Sequence, residues 1–177
     1  SDYAFTILMP PVLSRIEREA PRVSLQLRQL SPIWHEELGR GDLDFVIIPD
    51  SYQLAVHPNV ALFTDGFTCV VWAKNEQVGA TLSLDQYLAL GHVVVTLTGV
   101  HEQSFDEWFL KKSGHARRAE VVAPTYAMVP TLVVGSHRLA TTWIRLARIA
   151  SAHLPLRLVP PPVDIPSFRE VLQWPAH

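Results

Sequence analysis

The sequence predicts a layered α/β fold, and three observations carry that reading. Amphipathic helical stretches alternate with short apolar strands along most of the chain. "LDFVII", residues 43–48, is an unbroken apolar run of strand length, as expected of a strand covered on both faces of a mostly parallel sheet. Strand ends are repeatedly followed by Ser, Thr or Asp, residues that suit helix starts. The chain has 177 residues, 48% hydrophobic and 18% charged, a balance that supports a packed core and argues against disorder.

Each element has its own justification. In "SDYAFTILMPPVLSRIEREAP", residues 1–21, Ile7, Leu8, Val12, Leu13, Ile16 and Ala20 recur at helical spacing. Ser1 and Asp2 offer N-cap oxygens, and Pro10 and Pro11 either begin the helix or bend it. "VSLQLRQ", residues 23–29, alternates as a half-buried strand does. Ser31-Pro32 opens a short helix through Leu38 that ends at Gly39-Arg40-Gly41, and the 43–48 strand follows. Residues 60–63 and 67–73 flank Thr64-Asp65-Gly66 and suggest a hairpin. The polar stretch 74–79 reads as a crossover into a second series: helix 84–90, strand 92–97, helix 105–112, strand 120–123, helix 127–134, strand 138–142 and helix 144–152. "LRLVPPPVDIP", residues 156–166, runs extended between lobes to a final strand at 168–174.

Several function classes receive no support. The formal charge is −2, so the chain carries no electrostatic footprint for nucleic acid or anionic membrane. No apolar run is long enough to span a bilayer and no export signal is visible; the single Cys69 suits a reducing compartment, which makes the cytoplasm the expected location. Nucleophile elbows, phosphate-binding loops, dinucleotide fingerprints and paired-histidine zinc motifs are missing, so no catalytic residue, metal ligand or cofactor is assigned.

The chemistry that remains is ligand binding. Ser1-Asp2, the S-x-x-E stretch of Ser104 and Glu107 after the strand ending at Leu97, and Thr125 after the strand ending at Ala123 mark three strand-end to helix-start junctions. Helix N-termini present free N–H groups and partial positive charge outside the carboxyl ends of strands, where open α/β sheets hold their ligands. The neighbouring side chains are Ser1, Tyr3, Thr96, Thr98, His101, Thr125 and Tyr126, a set suited to a small polar-aromatic molecule. Any one of these hydroxyls is ordinarily a simple cap, and only convergence makes a site. The five tryptophans are assigned to packing, and Lys111-Lys112 with Arg117-Arg118 to a solvated helix end.

In order, "SDYAFTILMPPVLSRIEREAP", "LGRGDLDFVIIPD", "HVVVTLTGVHEQSFDEWFLKKSG", "RRAEVVAP" and "SHRLATTW" resemble the effector-binding domain of LysR-type transcriptional regulators, in the branch of nodulation and aromatic-catabolism regulators. The resemblance covers essentially the whole chain. It implies a periplasmic-binding-protein-like fold of two Rossmann-like lobes joined by two crossover strands. Lobe one would be residues 1–73 plus 159–177, and lobe two residues 74–158. It implies a small effector, aromatic or carboxylate, in the inter-lobe cleft against Ser1, Tyr3, Ala4, Thr98, His101, Thr125 and Tyr126. It also implies a homodimer through these domains, with DNA contacted only through a winged helix-turn-helix that this chain lacks. On the same resemblance, the chain starts past the domain's first strand and stops before a closing helix, and Trp143 stands where the family commonly has proline. An enzyme on the same scaffold, with His101 or a cleft hydroxyl in a catalytic role, and an exported solute-binding protein are the competing readings.

Overall fold

The computed structural model describes residues 2–96 and 104–176. The chain divides into two units, one formed by residues 1–64 and 168–177, the other by residues 65–167. The division falls earlier and later than the 73/74 and 158/159 boundaries because the strands at 67–72 and 156–159 hydrogen-bond to each other inside the second unit.

In the first unit, α1 (Asp2–Glu19) runs through both prolines. Neither supplies an N–H, so the carbonyls of Thr6 and Ile7 lose their partners four residues on. The apolar face is not enclosed: Tyr3 and Ala4 are buried, but Val12 and Leu13 are exposed. The 23–29 strand is also absent. Val23, Leu25 and Leu27 face solvent, because among the described residues no neighbouring strand hydrogen-bonds to them and an isolated strand does not hold itself together. Helix α2 spans Trp34–Arg40, later than expected, and it lacks a side-chain N-cap because the Ser31 hydroxyl donates to Glu37 Oε2 instead. It ends at Gly41, φ +77°, whose N–H reaches Leu38 O while that of Asp42 reaches Glu37 O.

Strand β1 (Val46–Pro49) is antiparallel to β8 (Phe168–Gln173), and the sheet order is β1-β8-β2 with β2 at Asn59–Asp65. The 43–48 run is therefore an edge strand in an antiparallel pair, not the centre of a parallel sheet. Val46, Ile48 and Val171 share one face and pack with Leu38, joined by Leu30, Trp34 and Leu43. On the same strand the Gln173 side chain is fully buried and satisfied, accepting from Leu54 N–H and donating to the carbonyls of Leu54 and His57.

The second unit is built on a five-stranded sheet ordered β5-β4-β6-β3-β7, with β3 Phe67–Trp72, β4 Gly91–Val95, β5 Arg118–Ala123, β6 Leu139–Trp143 and β7 Leu156–Val159. Strand β4 is parallel to β5 and β6, whereas β3 is antiparallel to β6 and β7. β2 and β3 thus belong to different sheets, and the expected hairpin does not form; the lone Gly66 between them is too short a connection for one. The helices are α3 (Leu84–Ala89), α4 (Phe105–Lys112), α5 (Val129–Val133, after a 3-10 turn at Tyr126–Met128) and α6 (Ile144–Ser151).

Cys69, Val71, Tyr87, Leu110, Leu139 and Val159 centre the core of this unit. Burial pushes the Cys69 thiol up to about 12. The same core holds polar groups. Tyr87 Oη lies 2.7 Å from Thr141 Oγ1, and His92 Nε2 lies 2.6 Å from the Tyr87 carbonyl, the only role open to that nitrogen being donor. Arg117, expected in a solvated cluster, is enclosed instead, with its guanidinium on Asp106 Oδ2 and Glu107 Oε2. Those two carboxylates outweigh the cost of burial and keep it protonated.

Candidate functional site

The parallel strands β4, β5 and β6 end at one edge of the second unit, and the antiparallel β3 starts there, with Phe67 opposite Trp143. Four aromatic rings meet at this edge. Phe67 and Trp143 lie 4.1 Å apart between centroids, Phe67 stacks on Phe105 at 5.9 Å and 11°, and Tyr126 meets Trp143 at 5.5 Å. Phe105 opens α4, Tyr126 opens the turn before α5, and Trp143 precedes α6, so the rings join three helix approaches to the strand ends. This is the edge at which α/β sheets receive ligands.

The helix starts differ in what they offer. At α6 the Asp65 carboxylate accepts from the N–H groups of Gly66 and Arg145, so this N-terminus already holds a negative charge. At α4 the expected capping box is not made: Arg117 holds Glu107, which cannot then fold back, and the buried Ser104 hydroxyl has no hydrogen-bond partner. Thr125 is extended, half-buried and makes no side-chain cap, because a 3-10 turn rather than an α-helix follows it. The box that does form joins Ser83 and Gln86 at α3; its S-x-x-Q signal was present in the sequence.

In the first unit, Tyr3 and Ala4 lie in the first turn of α1 and are buried. The Tyr3 ring meets Phe63 at 6.3 Å and Phe168 at 6.0 Å. Ser1, Thr98 and His101 lie outside the described residues. Among the expected positions, the structure therefore brings Tyr126 into the aromatic edge of the second unit, sets Thr125 directly before it, and encloses Tyr3 and Ala4 in the first unit. Sequence reasoning missed Phe67, Phe105 and Trp143, which are apolar and announce themselves only through the sheet register.

One hollow of about 340 Å³ lies at the opposite edge of the second unit, at the amino ends of β4, β5 and β6. There Glu120 clasps both Arg118 and Arg138, at 2.9 and 2.8 Å. Gly91 makes room for the clasp: a Cβ on it would fall 2.2 Å from the Glu120 carboxyl carbon. Among the described residues no group of three or more His, Cys, Asp or Glu is placed to hold a metal ion, and no helix is long and apolar enough to cross a membrane.

The LysR substrate binding domain profile matches residues 1–177. The chain belongs to the LysR substrate-binding domain family. Among curated LysR-type relatives, nodulation protein D 1 of Rhizobium leguminosarum bv. phaseoli is 39% identical over 99% of this chain and 56% of its own length, and nodulation protein D 2 of Rhizobium tropici is 37% identical over the same shares. The chain thus spans little more than half the length of these relatives. A probable transcriptional regulator, PA0477 of Pseudomonas aeruginosa, is structurally similar at TM-score 0.87 and 28% identity, covering 99% of this chain and 60% of the other. The regulatory domain of MexT, a transcriptional activator of the same organism, aligns at TM-score 0.79 and 24% identity over 99% and 86%. The LysR fold is the periplasmic-binding-protein-like one of two α/β lobes, and these LysR neighbours are transcriptional regulators, not enzymes.

Proposed function

We propose that this chain is the effector-sensing part of a LysR-type transcriptional regulator and that it binds a small aromatic or carboxylate effector in the cleft between its lobes. The observation that carries the reading is the largely buried cluster of Phe67, Phe105, Tyr126 and Trp143 at the carboxyl ends of the parallel strands, rings stacked or tilted on one another, with the hydroxyl residues Ser104 and Thr125 next in sequence to Phe105 and Tyr126. Ser1, Tyr3 and Ala4 from the first unit, and Thr98, His101, Thr125 and Tyr126 from the second, are the contacts proposed for the effector. The domains pair as a homodimer, and an effector that prefers one arrangement of lobes or partners alters the spacing of DNA-binding domains supplied by the remainder of the protein. In this reading the protein works in the cytoplasm and this chain touches neither DNA nor membrane.

A thermal-shift screen with small aromatic and aliphatic acids, phenols and amines tests this. A ligand bound by the folded state alone raises the melting temperature with the logarithm of its concentration. Trp143→Ala and Thr125→Val are expected to abolish the rise for the best ligand. Unchanged responses in both variants would remove these residues from the site.

A further inference from the structure

Glu170 is the buried carboxyl group of the first unit whose hydrogen bonding the fold leaves incomplete. Its residue is 2% exposed, and Oε2 has no hydrogen-bond partner. A buried carboxyl oxygen without a partner costs free energy unless something outside the fold meets it. Gln173, on the opposite face of the same strand, shows the contrast, since both of its amide atoms are used. Its strand neighbour Arg169, pointing to the other face, pairs with Asp50 at 3.2 Å.

Register and alternation place Glu170. It lies opposite Pro49, the last residue of β1, and so at the carboxyl end of that strand. It shares a face of β8 with Phe168, whose ring meets Tyr3 in the first turn of α1. The first unit therefore sets an unsatisfied acceptor at the carboxyl end of a strand, on the face whose Phe168 ring reaches the start of an 18-residue helix. We propose that Glu170 is a specificity-determining residue of the effector site, accepting a hydrogen bond from an aromatic hydroxyl of the ligand.

This rests on the effector-binding reading above and narrows it, from aromatic or carboxylate ligands to aromatic rings carrying a hydroxyl. A ligand carboxylate at this position would meet the Asp50 and Glu170 carboxyls. An ammonium would need Glu170 fully ionised, whereas burial pushes the group up to about 7, against the lowering pull of the amino terminus and with Asp50 adding a smaller rise. A neutral O–H satisfies Oε2 at either protonation state.

The test is calorimetric binding of 4-hydroxyacetophenone, its methyl ether 4-methoxyacetophenone, benzoate and benzylamine to the whole chain, its Glu170→Met variant and its Glu170→Gln variant. In the parent, the hydroxylated probe is expected to bind about tenfold more tightly than its ether, the worth of one buried hydrogen bond. Glu170→Met, which removes the acceptor at similar volume, is expected to erase the preference, and Glu170→Gln, which keeps an amide oxygen, to retain part of it. Melting curves identify folded variants; should the methionine variant fail to fold, loss of the preference in the glutamine variant at unchanged benzoate affinity serves instead. A preference that survives in Glu170→Met overturns the assignment. Benzoate or benzylamine binding best overturns the hydroxyl class and leaves the effector site standing, whereas the absence of binding by all four probes overturns both.

Discussion

His92 is wholly enclosed in β4, its Nε2 hydrogen committed to the Tyr87 carbonyl and its Nδ1 without a partner. Protonation would place a charge and a new N–H where nothing accepts it, so burial pulls the group down to about 4. The sign follows. The unfolded chain takes up the proton first, near the ordinary histidine value, and stability is lost as pH falls from there towards 4, by about 3 kcal/mol for a shift of this size. Glu170 acts in the opposite sense. Its raised value means stability is complete below the ordinary carboxylate range and is lost as pH rises through 7. The two windows overlap, so between about pH 4.5 and 6.5 the slopes oppose and the parent's melting temperature should be nearly level; His92→Gln should uncover a fall from about pH 4.5 to 7, and Glu170→Gln a rise from about pH 4 to 6.5. A profile unchanged in both variants would refute these assignments. Neither residue was legible as special in the sequence, because a histidine opening a strand and a glutamate near the end of the chain acquire meaning only when the register encloses them. Tyr126 was picked out in the sequence as a helix start shortly after a strand, and the structure sets it at the turn that follows β5.

At the level of the element, helix starts decide more than helix patterns. Ser83→Ala removes the reciprocal bonds with Gln86 and should cost about 1 kcal/mol in urea unfolding. Asp65→Ala deprives the Arg145 N–H in the first turn of α6, and the Gly66 N–H before β3, of their acceptor and should cost about 1–2 kcal/mol, more than Ser104→Ala, whose hydroxyl makes no cap. Equal losses at Ser83 and Ser104 would contradict the capping assignment. Gly91→Ala is a finer test. The added methyl meets only the movable end of Glu120, which swings aside at the expense of exposed ion pairs, so less than about 1 kcal/mol is lost. The helices at 105–112 and 144–152 were readable from spacing within a residue or so. The alternating stretch 23–29 misled because alternation records which side chains would share a face, while a strand also needs a neighbour for its backbone, and the described residues supply none.

Across the whole molecule, the order of α and β elements was largely legible and the sheet membership was not. Strand β3 reads as the natural partner of β2, yet its hydrogen bonds go to β6 and β7, pairings made over much longer stretches of chain that no local pattern announces. The aromatic edge of the candidate site went unread for the same reason, since Phe67 and Trp143 meet only through that register. The exposed, irregular run around residues 23–29 makes a prediction at this scale: trypsin should cut first after Arg22 and Arg28, with mass spectrometry of the earliest fragments as the check, and initial cleavage inside either sheet would contradict the fold. Cys69 has a last consequence. A thiol held in the central layer of the larger unit, and kept from ionising at neutral pH, is inert towards oxidants and alkylating reagents while that layer stays closed. Its modification rate becomes a clock for the opening of β3, and any ligand that slows the clock without touching sulfur reports its own grip on the native state.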